Sequence, residues 1–168
     1  MERQEDKIMQ IFYLDKLTAV ALCFFLWFVF QVLSAYICFK IPDRFFAEDN
    51  AVFRARRFEK EGLFYRKYLI VHKWKKLLPD GGAVIRNGYS KRHLNCFSVE
   101  CLERYLIESR RGEMTHWLAI LPFWIFGLFA PFYVVPIMLL YSLVVNMPCI
   151  IAQRYNRPRI SELINKLS

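Results

Sequence analysis

The sequence predicts an all-α integral membrane protein with one N-terminal span, a basic cytoplasmic lobe carrying an interfacial amphipathic helix, and a C-terminal hydrophobic helical hairpin. Three observations lead there. Residues 17–39 form an apolar run broken only by a few uncharged polar residues, Gln31 among them; about twenty apolar residues are enough to cross a bilayer core. Residues 117–153 carry no formal charge at all. The 168-residue chain is 56% hydrophobic and 17% aromatic, yet its net charge is +9. That combination is too apolar for an ordinary soluble domain, and it suits an anionic membrane surface or a phosphate-bearing substrate better than nucleic acid.

Residues 1–16 form a polar N-terminal tail, and residues 17–39 the transmembrane helix. The run lacks the small-x-small exit of a cleaved signal peptide, so it reads as a retained anchor. Cations are denser after residue 40 than before residue 17. The positive-inside rule therefore places the following lobe in the cytoplasm and the N-terminus outside, making a multi-pass protein of the cell membrane. The five cysteines show no C-x-x-C spacing, so neither a zinc site nor a disulfide framework is expected.

Residues 40–116 are the basic cytoplasmic and interfacial lobe. Ile41-Pro-Asp-Arg-Phe-Phe46 is a turn leaving the membrane, because Pro42 biases Ile41 away from helix. Across residues 58–78, Phe64, Tyr68, Val71, Trp74 and Leu78 recur at helical spacing while most cations stay off that stripe. Such a helix lies in the membrane interface, or else covers a small core, since both use the same periodicity. Pro79-Asp-Gly-Gly82 and Asn87-Gly88 mark a hairpin or an irregular loop. Ser98 is an N-cap, with Glu100 in the first turn of a helix that continues through Gly112 to His116 and Trp117.

Residues 117–152 are too long for one untilted span and slightly short for two full ones. Pro122, Pro131, Pro136 and Pro148 divide them, and 127–131 is the natural bend, so two shortened helices returning to the same side are preferred over one span. Residues 153–168 form the basic C-terminal segment.

Candidate chemistry centres on His116, three residues after Glu113 on one helical face. A carboxylate there can orient an imidazole that serves as general base; the plainer role is an interfacial histidine reaching water beside Trp117. His93, in a loop, is the second candidate base, and His72 fits a solvated face. Arg154, Asn156, Arg157 and Arg159 can grip phosphate, or simply anchor the chain at the headgroups. Asn146, inside the apolar run, needs partners and either pairs with another helix or lines a cleft. No metal site is expected, because Glu113 and His116 are too few ligands and no H-E-x-x-H is present.

These residues together resemble the glycosyl-4,4'-diaponeurosporenoate acyltransferase family, small membrane proteins of staphyloxanthin-type carotenoid synthesis. The likeness runs through Ile41-Pro-Asp-Arg-Phe-Phe46, Phe58-Glu-Lys, Lys73-Trp-Lys75 with Asp80-Gly81, Arg92-His-Leu94, Glu113-x-x-His116-Trp117, Ile120-Leu-Pro122, Asn146-x-Pro148 and Gln153-Arg-Tyr-Asn-Arg-Pro-Arg159. The resemblance implies transfer of a fatty acyl group to a sugar hydroxyl of a glycosylated carotenoid or a similar glycolipid. The partners would be the bilayer, an activated acyl donor such as acyl-CoA and the glycosylated acceptor, with no cofactor and no nucleic acid. His116 would be the base, oriented by Glu113, with His93 in reserve. Asn146, Arg154, Tyr155, Asn156, Arg157 and Arg159 would bind substrate, Arg154 or Asn156 steadying the oxyanion or the donor's phosphates. The competing class is a non-enzymatic lipid-binding or scaffold subunit of a membrane biosynthetic complex.

Overall fold

A computed structural model of the chain describes residues 10–47, 50–78 and 98–167. Every regular element among them is helical: α1 (Lys16–Lys40), α2 (Arg44–Ala47), α3 (Leu63–Lys67), α4 (Val71–Trp74), α5 (Val99–Ile120) and α6 (Val134–Leu167), with 3-10 turns at Arg57–Gly62, Lys75–Leu77 and Leu121–Leu128. The turn signals of residues 79–88 and the loop histidine His93 lie outside the described residues. The chain divides into two units, Met1–Ile37 with Thr115–Met147 and Cys38–Met114 with Pro148–Ser168.

The first unit is built on α1. Asp15 caps it, its carboxylate accepting from the Thr18 backbone N–H at 3.0 Å, which satisfies one of the donors a helix start leaves open. One side of α1 packs Leu22, Cys23, Leu26, Trp27 and Phe30 against Phe126, Phe129, Ala130 and Met138. Trp27 meets Tyr141 edge-on with ring centroids 5.1 Å apart, and Phe30 meets Phe126 at 6.0 Å. The opposite side leaves Phe24, Phe25 and Phe28 each about 60% exposed, an apolar surface that water does not favour. Among the described residues, helices α1 and α6 are long and apolar enough to cross a membrane.

After α5 the chain tightens into the 3-10 turn, where Pro122 leaves helical geometry with ψ near 16°, and α6 starts at Val134. Pro148 was expected to divide the apolar run. It lies inside α6 instead, as does Pro158, and the helix continues to Leu167. Each proline removes one backbone donor and crowds one carbonyl, a local cost that packing along a 34-residue helix can absorb.

The second unit joins the N-terminal half of α5 to the C-terminal part of α6. Ser98 caps α5 as expected, its hydroxyl accepting from the Cys101 N–H at 3.4 Å. Leu102 and Tyr105 bury themselves against Ile160, flanked by Leu106, Leu163 and Ile164. The end of α1 is tied in by Arg111, which donates to the carbonyls of Cys38 and Ile41 at 2.5 and 2.8 Å and pairs with Asp43. A cation is well placed on those otherwise orphaned carbonyls.

The expected helix over residues 58–78 is corrected to a string of short turns. Lys60, Glu61 and Ile70 adopt positive φ, and Gly62 sits at φ 89°. Gly62 is required by more than its backbone angle, because a Cβ there would come within 3.3 Å of the Tyr155 carbonyl on α6. The kinks redirect the apolar stripe. Val71 and Tyr65 turn into a core with Tyr155, while Tyr68 and Leu77 remain exposed.

Candidate active site

Two polar constellations stand out, one in each unit. In the second unit Glu113 is fully buried between two arginines of α6. One oxygen takes the Arg154 Nε at 2.6 Å and the other the Arg157 Nη1 at 2.5 Å. Arg154 and Arg157 share a face because they are three residues apart on a helix. Arg154 also reaches Glu59 at 2.5 Å and the Val52 carbonyl at 2.8 Å. Arg157 donates to the Phe53 carbonyl at 3.4 Å. Two buried carboxylates therefore face these two guanidiniums, which is how charges persist away from water. Beside them lies a cavity of about 150 Å³ bordered by Glu59, Leu106, Arg110, Arg154, Arg157 and Ser161.

The rest of the arginine-rich string is also built in. Gln153 accepts from the Ser109 hydroxyl at 2.9 Å. Asn156 accepts from Lys75 Nζ at 2.7 Å and donates to the Tyr105 hydroxyl at 3.2 Å. The fully buried Tyr155 ring carries the Arg159 guanidinium at 4.1 Å and the Lys75 ammonium at 5.1 Å from its centroid, a cation–π arrangement. Burial holds Lys75 below the ordinary lysine range, and the charges of Arg159 and Lys76 push the same way. Burial also raises the Tyr65 phenol to about 12, with the Glu59 charge adding to the rise and Arg154 opposing it.

The first unit holds the histidine. His116 Nδ1 lies 2.9 Å from the Asn146 Oδ1. The same oxygen accepts from Gln31 Nε2 at 3.1 Å, and Asn146 Nδ2 donates to the Ser142 carbonyl at 2.9 Å. Asn146 is 1% exposed. The residues singled out in the sequence are thus bonded in a different combination from the one expected. Glu113 is bound to arginines and His116 to an asparagine. Gln31, Ser142 and Glu59 were not selected. Gln31 was visible as a lone amide in an apolar run, and Glu59 as part of Phe58-Glu-Lys. The cysteines need one correction: Cys101 is disulfide-bonded, whereas Cys23, Cys38 and Cys149 are free thiols.

Among the described residues every regular element is a helix, two of them apolar and of membrane length, and a buried glutamate–arginine cluster accompanies a histidine bonded to a buried asparagine; these features suit a small membrane protein. Comparison with known proteins narrows the class. The model of the glycosyl-4,4'-diaponeurosporenoate acyltransferase family matches residues 49–166. Among curated proteins, the glycosyl-4,4'-diaponeurosporenoate acyltransferases of Staphylococcus aureus strains MRSA252 and bovine RF122 / ET3-1 are each 39% identical over 145 residues, covering 86% of this chain and 87% of theirs. That of strain USA300 is 38% identical over the same span. No solved structure matches. The chain belongs to this family and is an acyltransferase, which displaces the non-enzymatic scaffold.

Removing the shared carboxylate should expose the weight it carries. Glu113→Ala leaves Arg154 and Arg157 buried without it and should cost about 3–5 kcal/mol. Accumulation of a fluorescent fusion should fall sharply, and adding Arg157→Met should recover part of the loss. An undiminished Glu113→Ala protein would show that the lobe does not rest on this contact.

Tyr65 should leave a signature at high pH. Its phenol ionises near 10 when unfolded and at about 12 when folded. Between those values the unfolded chain binds fewer protons than the folded one, so stability falls as pH rises through the window. Tyr65→Phe should flatten that part of the profile in thermal melts of the detergent-solubilised protein. An identical slope in both proteins would contradict the assignment.

Proposed function

We propose that the protein transfers a fatty acyl group from an activated donor onto a sugar hydroxyl of a glycosylated carotenoid, working at the membrane. The observation that carries this reading is the 39% identity over 86% of the chain to acyltransferases whose name specifies a glycosylated diaponeurosporenoate. The apolar helices and the exposed aromatic face of α1 suit a substrate with long hydrocarbon parts.

In the proposed mechanism His116 is the general base. It takes the proton of the sugar hydroxyl as that oxygen attacks the acyl carbonyl. With a thioester donor the new C–O bond forms, the C–S bond breaks, and the proton passes on to the departing thiolate. Taken by itself, the second unit offers positive charges to an anionic group. Among the described residues no carboxylate pairs with Lys75 or Arg159, and Arg159 is exposed, whereas Arg154 and Arg157 already face Glu113. Lys75 and Arg159 are thus the better grip for a phosphate, and Glu113 serves chiefly to fix Arg154 and Arg157. His116→Ala should reduce acyl transfer by about 10²–10⁴-fold in membranes where the variant accumulates normally, as read by chromatography of the acylated product. His72→Ala should leave it near wild type. A His116→Ala variant with near-normal turnover would remove the base, and His93 would be tested next.

The proposed membrane disposition has the second unit in the cytoplasm, supported by the cation excess after residue 40. The Cys101 disulfide favours the opposite face, since cytosolic thiols are kept reduced. A cysteine introduced at the exposed Glu162 decides between them. Glu162→Cys should react with an impermeant maleimide only after the membrane is opened, compared with the parent protein as background. Reaction on intact cells would place the lobe outside.

A further inference from the structure

We infer that Asn146 holds His116 in a single neutral tautomer, with the proton on Nδ1 and the basic lone pair on Nε2, and that Gln31 and Ser142 fix Asn146 for that purpose. The inference deepens the proposed mechanism and rests on it for the catalytic meaning of the lone pair. The tautomer itself follows from geometry.

The Ser142 backbone carbonyl can only accept a hydrogen bond. The Asn146 side-chain nitrogen lies 2.9 Å from it. Turning the amide over would set oxygen against oxygen at a residue only 1% exposed, with a buried bond lost and an acceptor left facing an acceptor. Oδ1 therefore points to the other side, where it lies 2.9 Å from His116 Nδ1 and 3.1 Å from Gln31 Nε2. An amide oxygen accepts and never donates. Both neighbours must then donate, Gln31 through its amide N–H and His116 through Nδ1–H. A neutral imidazole has one N–H, so the remaining lone pair is on Nε2.

This is a second contact fixing which ring nitrogen reacts, the service a carboxylate performs in many histidine-dependent enzymes. An amide differs from a carboxylate in one respect that matters here. It orients the ring and fixes its proton without a negative charge that would favour the imidazolium before substrate arrives. When Nε2 takes a proton, Nδ1–H stays on Asn146, so the same bond survives the transfer. Asn146 and Gln31 are positioning residues in this scheme. They come from α6 and α1, and His116 from α5, so three helices of one unit set one proton.

The test reads the tautomer directly. Full-length protein carrying ¹⁵N-histidine in lipid nanodiscs gives separate Nδ1 and Nε2 resonances, assigned by comparison with His116→Gln. Recorded at a pH high enough for the ring to be neutral, the wild-type protein should show a protonated Nδ1 and an unprotonated Nε2. Asn146→Asp retains an acceptor oxygen but adds a negative charge, so Nδ1 should stay protonated while Nε2 takes its proton at a higher pH than in the wild type; an Nδ1 that loses its proton in this variant would contradict the inference. Asn146→Leu should lose the wild-type pattern, with kcat down at least about tenfold and KM little changed. A wild-type spectrum with the proton on Nε2 would overturn the inference whatever the activities are. If the Nδ1–H pattern is found but His116→Ala still transfers acyl groups, the tautomer stands and the proposed base falls. Should Asn146→Leu fail to fold, the wild-type and Asn146→Asp spectra still decide.

Discussion

The carboxylate of Glu113 is the contact on which the second unit turns. It is fully buried, and each of its oxygens takes a different guanidinium. Two planar cations three residues apart on α6 can meet one carboxylate on α5 in only a narrow range of rotation and translation, so the contact sets how these helix segments pack. The arginines then reach outward. Arg154 holds Glu59 and the Val52 carbonyl, and Arg157 holds the Phe53 carbonyl. Residues 50–62 contain no long helix of their own, and these bonds supply the order that a hydrogen-bonded ladder would otherwise give. Such a network adds little net stability beyond an apolar core of the same shape, yet it is expensive to break, because one lost partner strands a buried charge.

The first unit meets the opposite constraint. Its contacts are aromatic and aliphatic, and its outer surface is apolar, so a polar group inside it has no water to fall back on. The unit nevertheless gathers Gln31, Ser142, Asn146 and His116. Each of these bonds joins a donor to an acceptor, and Asn146 uses its amide nitrogen and twice its oxygen. Polar side chains are arranged this way in an apolar setting when their positions are worth the desolvation. The economical account is that the chain ends on an imidazole, the one member able to exchange a proton near neutral pH.

What the sequence made legible follows from which forces are local. Apolar run length is local, and it located α1 and the long apolar part of α6. The Ser98 cap is local as well, needing only a hydroxyl three residues ahead of an N–H. The partner of Glu113 is not. Helical spacing puts His116 within reach, but two arginines 41 and 44 positions further along compete for the same carboxylate, and a guanidinium holds it more strongly than a neutral imidazole does. The helix drawn over residues 58–78 failed for a related reason. Its periodicity was real, but Gly62 sits at φ 89° with the Tyr155 carbonyl only 3.3 Å from where a Cβ would stand, and Ile70 is held in a left-handed conformation. A β-branched residue carries no sequence signal for that state; tertiary packing imposes it.

The arginine-rich string at residues 153–159 divides into cations that are paired inside the lobe and one that is not. Counted as formal charges it is three cations, which suggests an anion grip. Counted with neighbours it is less, because Arg154 and Arg157 face the two buried carboxylates Glu113 and Glu59 and present little net field. Recruiting either to a ligand would strip a buried carboxylate of its partner, so any affinity gained would be offset by the charge left behind. Arg159 and Lys75 differ. They converge on the Tyr155 ring, and burial together with neighbouring cations disfavours the charged form of Lys75. An anion arriving there would relieve that crowding instead of competing with an existing ion pair. The inner arginines thus hold the lobe together, and the outer pair around Tyr155 carries the charge that no carboxylate among the described residues offsets.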